Sequence, residues 1–104
     1  MTPTNPPLTA KEVKSAASEA LKNGGVVYND PHAKDRMGQR KISTVDVENV
    51  LSGGFVGNDP ELSDNGRNWR YKIRSNRFFV VIEVWPGGRV FIVTVIRTWG
   101  PYYD

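Results

Sequence analysis

The chain has 104 residues and no cysteine, with a formal net charge of +3 and a sequence pI near 9.4. This length suits one domain, and we expect a flexible tail over residues 1–7 followed by a single domain over residues 8–104. The lack of cysteine excludes disulfides, thiolate metal sites and a cysteine nucleophile. No apolar run reaches the roughly 18 residues of a membrane span, and the Pro-rich start lacks a signal-peptide pattern. We therefore expect a soluble cytoplasmic protein.

Two helix starts carry the spacing of a capping box, in which two side chains each bind the other residue's backbone N–H. Thr9 and Glu12 form the first pair, and Ser43 and Asp46 form the second. Apolar residues follow each pair at helical spacing, and glycines end each segment. The predicted helices cover residues 10–22 and run from the Ser43 cap through residue 51.

A third helix is predicted between these two. Asp30 is a suitable cap, and Pro31 stands at the first helical position, where proline is favoured. This helix should span residues 31–39. The short apolar segment over residues 26–28, which precedes it, is interpreted as a link.

The second half of the chain has the patterns of strands. From residue 68 to 74, Trp69, Tyr71 and Ile73 alternate with a row of cations, Arg70, Lys72 and Arg74, which we call the basic strand. Two apolar runs, over residues 78–85 and 90–96, flank a Pro-Gly-Gly turn and predict inner antiparallel strands. The glycine-rich stretch before the basic strand is interpreted as an irregular edge strand plus a loop. The predicted fold is α+β, with N-terminal helices packed on a three- to four-stranded antiparallel sheet.

The motif HAKDRMGQR, residues 32–40, contains the chain's one histidine. His32, Arg36 and Arg40 are spaced i, i+4, i+8 and lie along one side of the helix if it reaches Arg40. A neutral histidine can remove the proton of an RNA 2′-hydroxyl while cations stabilise charge on the phosphate. This set, together with the basic strand, therefore fits metal-independent RNA cleavage.

Each of these features also has a simpler interpretation. A single histidine is often a structural, solvent-exposed residue, and arginines at helical spacing often form a solvated face. The basic strand can be an edge whose charges prevent aggregation. One histidine, no cysteine and scattered acids offer no recognised metal-ligand spacing, so we expect no metal and no cofactor.

Three runs of the sequence resemble a known family: HAKDRMGQRKISTVDVENVL, RYKIRSNRFFVVIEV and FIVTVIR. They are similar to the small bacterial domain-of-unknown-function family numbered 4258, over about residues 28–98. Members look like relatives of the RelE-, barnase- and colicin-like RNA-cleaving fold, which implies a toxin-like ribonuclease or a degenerate relative. The resemblance implicates His32, Arg36, Arg40 and Arg70.

The preferred hypothesis is a small toxin-like, metal-independent endoribonuclease. His32 would act as general base or acid, and Arg36 and Arg70 would stabilise phosphate charge. The cations expected to hold the RNA are Arg40, Lys72, Arg74 and Arg97. The family resemblance also implies an antitoxin or immunity protein as a partner.

Two alternatives remain. In one, the protein is a non-catalytic binding module, whose basic face holds nucleic acid or an acidic protein and whose C-terminal aromatics Trp99, Tyr102 and Tyr103 dock a partner. In the other, supported only by small size, it is a structural component of a mobile element.

Overall fold

The computed structural model describes residues 7–29, 31–57, 60–62 and 68–97. Within these residues the chain forms three helices and six strands, so the α+β class is confirmed. Residues 1–6 of the predicted tail, the cap Asp30 and the C-terminal aromatics lie outside the described residues. The helices are α1 (Ala10–Asn23), α2 (His32–Gln39) and α3 (Thr44–Gly53).

Both predicted capping boxes are confirmed. Thr9 accepts from the backbone N–H of Glu12 at 3.2 Å, and the Glu12 carboxylate accepts from that of Thr9 at 2.9 Å. Ser43 and Asp46 make the same reciprocal pair at 3.1 and 2.9 Å. These bonds satisfy backbone donors that a helix start leaves without intrahelical partners, which fixes where α1 and α3 begin.

Helix α2 ends one residue before Arg40. Lys41 adopts a left-handed φ of 54°, and its N–H donates to the Gly38 carbonyl at 3.3 Å. The next N–H, of Ile42, donates to the Met37 carbonyl at 2.9 Å, and both of these side chains are buried in the core. This is a Schellman ending with its apolar contact, and Arg40 is the capping residue rather than part of the helix.

The sheet is mixed and has six strands in the described residues, so the predicted three- to four-stranded antiparallel sheet is too small. Its strands are β1 (Val26–Tyr28), β2 (Phe55–Val56), β3 (Glu61–Leu62), β4 (Trp69–Arg74), β5 (Phe78–Trp85) and β6 (Arg89–Arg97). The order is β1-β6-β5-β4-β2, with β3 also paired to β4.

The expected antiparallel meander of β4, β5 and β6 is present. The segment interpreted as a link is instead β1, which pairs in parallel with residues 90–92 of β6. A three-residue strand is too short to show periodicity, and its partner lies far along the chain. The edge-strand interpretation of the glycine-rich stretch holds for β2, which pairs with β4.

The helices cover one face of the sheet. Leu51 of α3 and Val13 of α1 are fully buried in one cluster with Ile73, Ile82 and other inward residues of the sheet. Tyr71 belongs to this cluster, as predicted, and its hydroxyl accepts from the Leu8 N–H at 2.9 Å. Among the described residues, no helix combines the length and apolarity needed to cross a bilayer.

Candidate functional site

The second face of the sheet, opposite the helices, carries the predicted cations. Side chains alternate along a strand, so Arg70, Lys72 and Arg74 point away from the helix-covered core that contains Tyr71 and Ile73. A separate apolar cluster lies on this second face. We call the surface the basic sheet face; its residues are Arg70, Lys72, Arg74, Phe79, Val81, Glu83, Trp85, Phe91, Val93, Thr94 and Ile96.

Arg70 is held by a buried carboxylate on the neighbouring strand. Arg70 and Glu83 are directly opposite in the β4–β5 register, and Arg70 Nε donates to Glu83 Oε2 at 3.1 Å. The Glu83 side chain is 6 % exposed and that of Arg70 is 29 % exposed. A charge-assisted bond at this depth fixes the guanidinium, because the carboxylate has little access to water as an alternative partner.

The other oxygen of the same carboxylate orients an aromatic pair. Trp85 Nε1 donates to Glu83 Oε1 at 3.0 Å, and the Trp85 ring stacks on Phe91 with centroids 4.6 Å apart and planes 11° apart. Both rings are half-buried. Glu83 thus links the fixed guanidinium of Arg70 to a fixed, partly exposed aromatic stack.

Lys72 and Arg74 extend the row of cations along β4. Lys72 Nζ and Arg74 Cζ each lie 5.7 Å from the centre of the Phe79 ring, which is within cation–π range. Lys72 also forms an ion pair with Glu61 at 3.3 Å, but Glu61 is exposed, and surface pairs of this kind contribute little to stability. Lys72 and Arg74 therefore both lie over the ring of Phe79, which belongs to the apolar cluster of this face.

A pocket of about 380 Å³ lies in the middle of the basic sheet face. Arg70 and Lys72 line it on the β4 side and Thr94 on the β6 side. Its volume is near the lower end of the range for small-molecule sites. The remaining lining residues are Glu61, Phe79, Val81, Val93 and Ile96.

A β-bulge shapes the β6 wall of this pocket. Val81 pairs with Thr94 while the next residue, Ile82, pairs with Ile92, so Val93 is the extra residue. Val93 and Thr94 both line the pocket opposite Val81. Bulges commonly re-aim side chains next to functional sites, and this one places two β6 side chains opposite Val81 where a regular strand would place one.

Asn29 connects the bulge to the start of α2. Its N–H donates to the Ile92 carbonyl at 2.9 Å, and its side-chain amide donates to the Val93 carbonyl at 3.4 Å. The carbonyl of Asn29 in turn accepts from the N–H of Ala33, in the first turn of α2. The first turn of α2 is thereby fixed to the bulged segment of β6.

The structure does not place the histidine motif on the basic sheet face. Ala33 and Met37 of α2 pack in the same core cluster as Tyr71, so α2 belongs to the helical layer. His32 is exposed and Arg36 half-buried in that layer. The predicted site residues thus divide into two groups: those of α2 lie in the helical layer, and those of the basic strand lie on the opposite face of the sheet. Helix α2 nevertheless packs against β6, which lines the pocket.

Of the remaining predicted residues, Arg40 lies just beyond α2, where its Nη1 donates to the Gln39 side chain at 3.5 Å. The side chain of Arg97, at the end of β6, lies outside the described part of the chain, as do Trp99, Tyr102 and Tyr103. Within the described residues, no group of three or more His, Cys, Asp or Glu side chains could hold a metal ion.

Sequence reasoning missed Glu83, Thr94 and Asn29. Glu83 had a visible signal, because it is the one charged residue within the apolar run 78–85. A carboxylate in such a run must be paired if it is buried, and Arg70 is the partner. Thr94 and Asn29 had no comparable signal, since their roles depend on the bulge and on a parallel pairing between distant segments.

Comparison with known proteins identifies a family and nothing closer. Residues 30–97 match the family model described as Domain of unknown function (DUF4258). No curated protein matches the chain, and no solved structure does. The matched range includes α2, α3 and the whole β4–β6 meander.

Proposed function

This protein belongs to the family described as domain of unknown function 4258, and we propose that its basic sheet face binds RNA. One observation supports the proposal above the others: Arg70 and Lys72 line the same pocket, whose floor is apolar. RNA presents phosphates and flat bases close together, so it requires cations beside apolar or aromatic surface.

The pairing of Arg70 makes it suited to phosphate. Glu83 holds the Nε side of the guanidinium, so the terminal nitrogens remain to donate to an anion at a fixed position. Lys72 and Arg74 follow at alternate positions of the same strand and would contact further phosphates. The Trp85–Phe91 stack, held by Glu83, would support an unpaired base.

Salt-dependent binding tests this proposal. The wild-type chain should bind a labelled single-stranded RNA, with affinity falling as salt rises because each neutralised phosphate releases counterions. Replacing Lys72 and Arg74 by alanine should weaken binding at least about tenfold and reduce the salt slope by roughly two. The matched control replaces Lys11 and Lys22, two exposed lysines of α1, and should leave both quantities nearly unchanged. Equal losses in the two variants would reject the basic sheet face as the binding surface.

A second proposal adds cleavage, as expected of a small toxin-like, metal-independent endoribonuclease with kinship to the RelE and barnase type of fold. One observation favours it: exposed His32 stands in the first turn of α2, and Asn29 fixes that turn to the β6 segment that lines the pocket. RNA held on the basic sheet face and passing over β1, the edge strand beside β6, would approach His32. There the imidazole would take the 2′-hydroxyl proton, the 2′-oxygen would attack the adjacent phosphorus, and the departing 5′-oxygen would take a proton from the imidazolium or from water. Arg36 would stabilise charge on that phosphate, while Arg70 would hold the charge of another phosphate on the basic sheet face. A cytoplasmic enzyme of this kind would require an antitoxin or immunity protein.

The two proposals are separated by incubating the purified protein with total cellular RNA in the presence of a chelator. Cleavage by the wild type and by Lys34→Ala, but not by His32→Ala, would support the enzyme. Binding without cleavage by any variant would leave the non-catalytic module. Lys34 is a suitable control because it is exposed on the same helix and has no assigned role.

A further inference from the structure

We propose that the pocket on the basic sheet face takes one unpaired nucleotide, with its base on the Val81–Val93 floor and its phosphate between Arg70 and Lys72. The inference rests on the proposed function and narrows it to single-stranded RNA. It follows from the shape of the floor, the chemistry of the two walls and the distance between them.

The floor is a compact apolar surface formed by Phe79, Val81 and Val93. These residues are 8 %, 8 % and 7 % exposed and form a cluster separate from the main core. The bulge adds Val93 beside Thr94, which widens the floor on the β6 side. An apolar floor of this kind suits the face of a base, whose stacking contributes to binding whatever its identity.

The two walls of the pocket differ in charge, as binding of a nucleotide by its phosphate and its base requires. The β4 wall supplies Arg70 and Lys72, which favour an anion, with the exposed carboxylate of Glu61 paired to Lys72 beside them. The β6 wall supplies the hydroxyl of Thr94, which can donate to or accept from a base edge. Since β5 lies between β4 and β6, the walls are separated by two strand spacings, or about 10 Å. That separation is comparable with the reach of a nucleotide from its phosphate to its base edge.

A paired base does not meet these requirements. In an RNA duplex the base faces are stacked on their neighbours and the base edges are paired, so a base reaches the floor only after leaving the helix. The pocket should therefore select single strands, whereas a row of cations alone would bind both forms.

The test uses a 12-nucleotide RNA with one 2-aminopurine, as a single strand and within a hairpin stem of equal length. We expect the wild type to bind the single strand about tenfold more tightly than the hairpin, since stacking of one base accounts for such a factor. The 2-aminopurine emission should change on binding. Thr94→Trp, which fills the pocket, should abolish both the preference and the emission change, while Thr44→Trp on α3 should retain them.

Failure of this inference is distinguishable from failure of RNA binding itself. Salt-sensitive binding that depends on Lys72 and Arg74 but is equal for single strand and hairpin would overturn the pocket and leave the proposed function in place. Absence of binding to either RNA would overturn both. Should Thr94→Trp not fold, Thr94→Val keeps the side-chain shape and removes only the hydroxyl. It is then expected to lose affinity several-fold for the single strand alone, and an unchanged affinity would contradict the assigned role of Thr94.

Discussion

The two faces of the same sheet are built from the same strands and differ in almost every physical respect. On the helix-covered face, Ile73, Ile82 and Ile92 are fully buried among apolar neighbours. On the basic sheet face, a smaller apolar cluster is bordered by cations, and its most buried polar group is the carboxylate of Glu83. Because side chains alternate along the three strands, the sheet has one face that stabilises the fold and a second face, the basic sheet face, whose charged residues are not needed for stability.

The difference identifies which charges need a functional explanation. Edge strands often carry lysine or arginine to prevent aggregation, but β4 is paired on both sides, with β5 and with β2 and β3, and protective charges need no buried partner. Arg70 has one, in a pair that also fixes Trp85. Replacing a buried ion pair by apolar residues is often neutral or stabilising, so this pair is poorly explained by stability alone.

The largest expected effect comes from two isoleucines on opposite faces. Ile82→Ala should lower the free energy of unfolding by about 3–4 kcal/mol, because it opens a cavity in a fully buried site. Ile96→Ala, at a half-buried position beside the pocket, should cost only about 1–2 kcal/mol. Urea denaturation measures both. Among the folded variants, Ile96→Ala should weaken binding of single-stranded RNA more than Ile82→Ala does. Equal effects of the two changes in both assays would contradict the difference between the two faces.

The Arg70–Glu83 pair should separate stability from binding. Arg70→Met leaves the Glu83 carboxylate buried without its cation, and we expect a loss of about 2–3 kcal/mol in unfolding free energy. Adding Glu83→Gln removes the stranded charge and keeps an acceptor for Trp85, so most of that stability should return. RNA affinity should stay low in both variants.

A double variant that regained RNA affinity together with stability would show that Arg70 acts only through folding. A single variant as stable as the wild type would show that the pair is not a buried one in solution. Thermal denaturation and the salt-dependent binding assay together distinguish these outcomes.

Lys41→Gly should change the helical layer alone. Lys41 has a φ of 54°, where a side chain is unfavourable and glycine is not. We expect a gain of roughly 0.5–1 kcal/mol in unfolding free energy and no change in RNA binding. Lys34→Gly, at an exposed position within α2, is the control and should instead lose about 1 kcal/mol.

The smallest expected effect is a pH dependence that belongs to the helical layer. Hydrogen bonds from the backbone and side chain of Ser43 lower the pKa of Asp46 below its ordinary value. The folded state therefore binds this proton less readily than the unfolded state. The stability from Asp46 is complete above the unfolded-state pKa and is lost as the pH falls through the lower, folded-state pKa.

Asp46→Asn should accordingly make thermal stability less sensitive to pH in the acidic range. Glu19→Gln, an exposed change on α1 outside any capping box, is the matched control. The same slope of melting temperature against pH in Asp46→Asn and the wild type would contradict the assignment. RNA binding near neutral pH should not respond to Asp46→Asn.

The sequence predicts those parts of the fold whose causes are local. Thr9 with Glu12 and Ser43 with Asp46 fix two helix starts, because a capping box involves residues three apart. Tyr71 and Ile73 alternate with cations, so the sequence alone predicts which side chains of β4 share a face. The same alternation correctly indicated that Tyr71 belongs to the core.

The parts that sequence reasoning missed depend on distant pairings. Val26–Tyr28 becomes a strand only because residues 90–92 lie beside it, and no local pattern of three residues shows that. The relation of His32 to Arg70 depends on which face of the sheet α2 covers, a choice made by the packing of Ala33 and Met37. The spacing within the motif predicts which residues lie on the same side of α2. It does not predict on which face of the sheet α2 packs.

The contact between Asn29 and Val93 also bears on how the protein is made. These residues are 64 positions apart, and β6 enters the sheet between β1 and β5 although it is the last strand in chain order. A nascent chain on the ribosome cannot complete the pocket until β6 has emerged, and closing so long a loop slows folding. During synthesis the basic residues of β4 therefore become accessible before the wall that gives the pocket its shape.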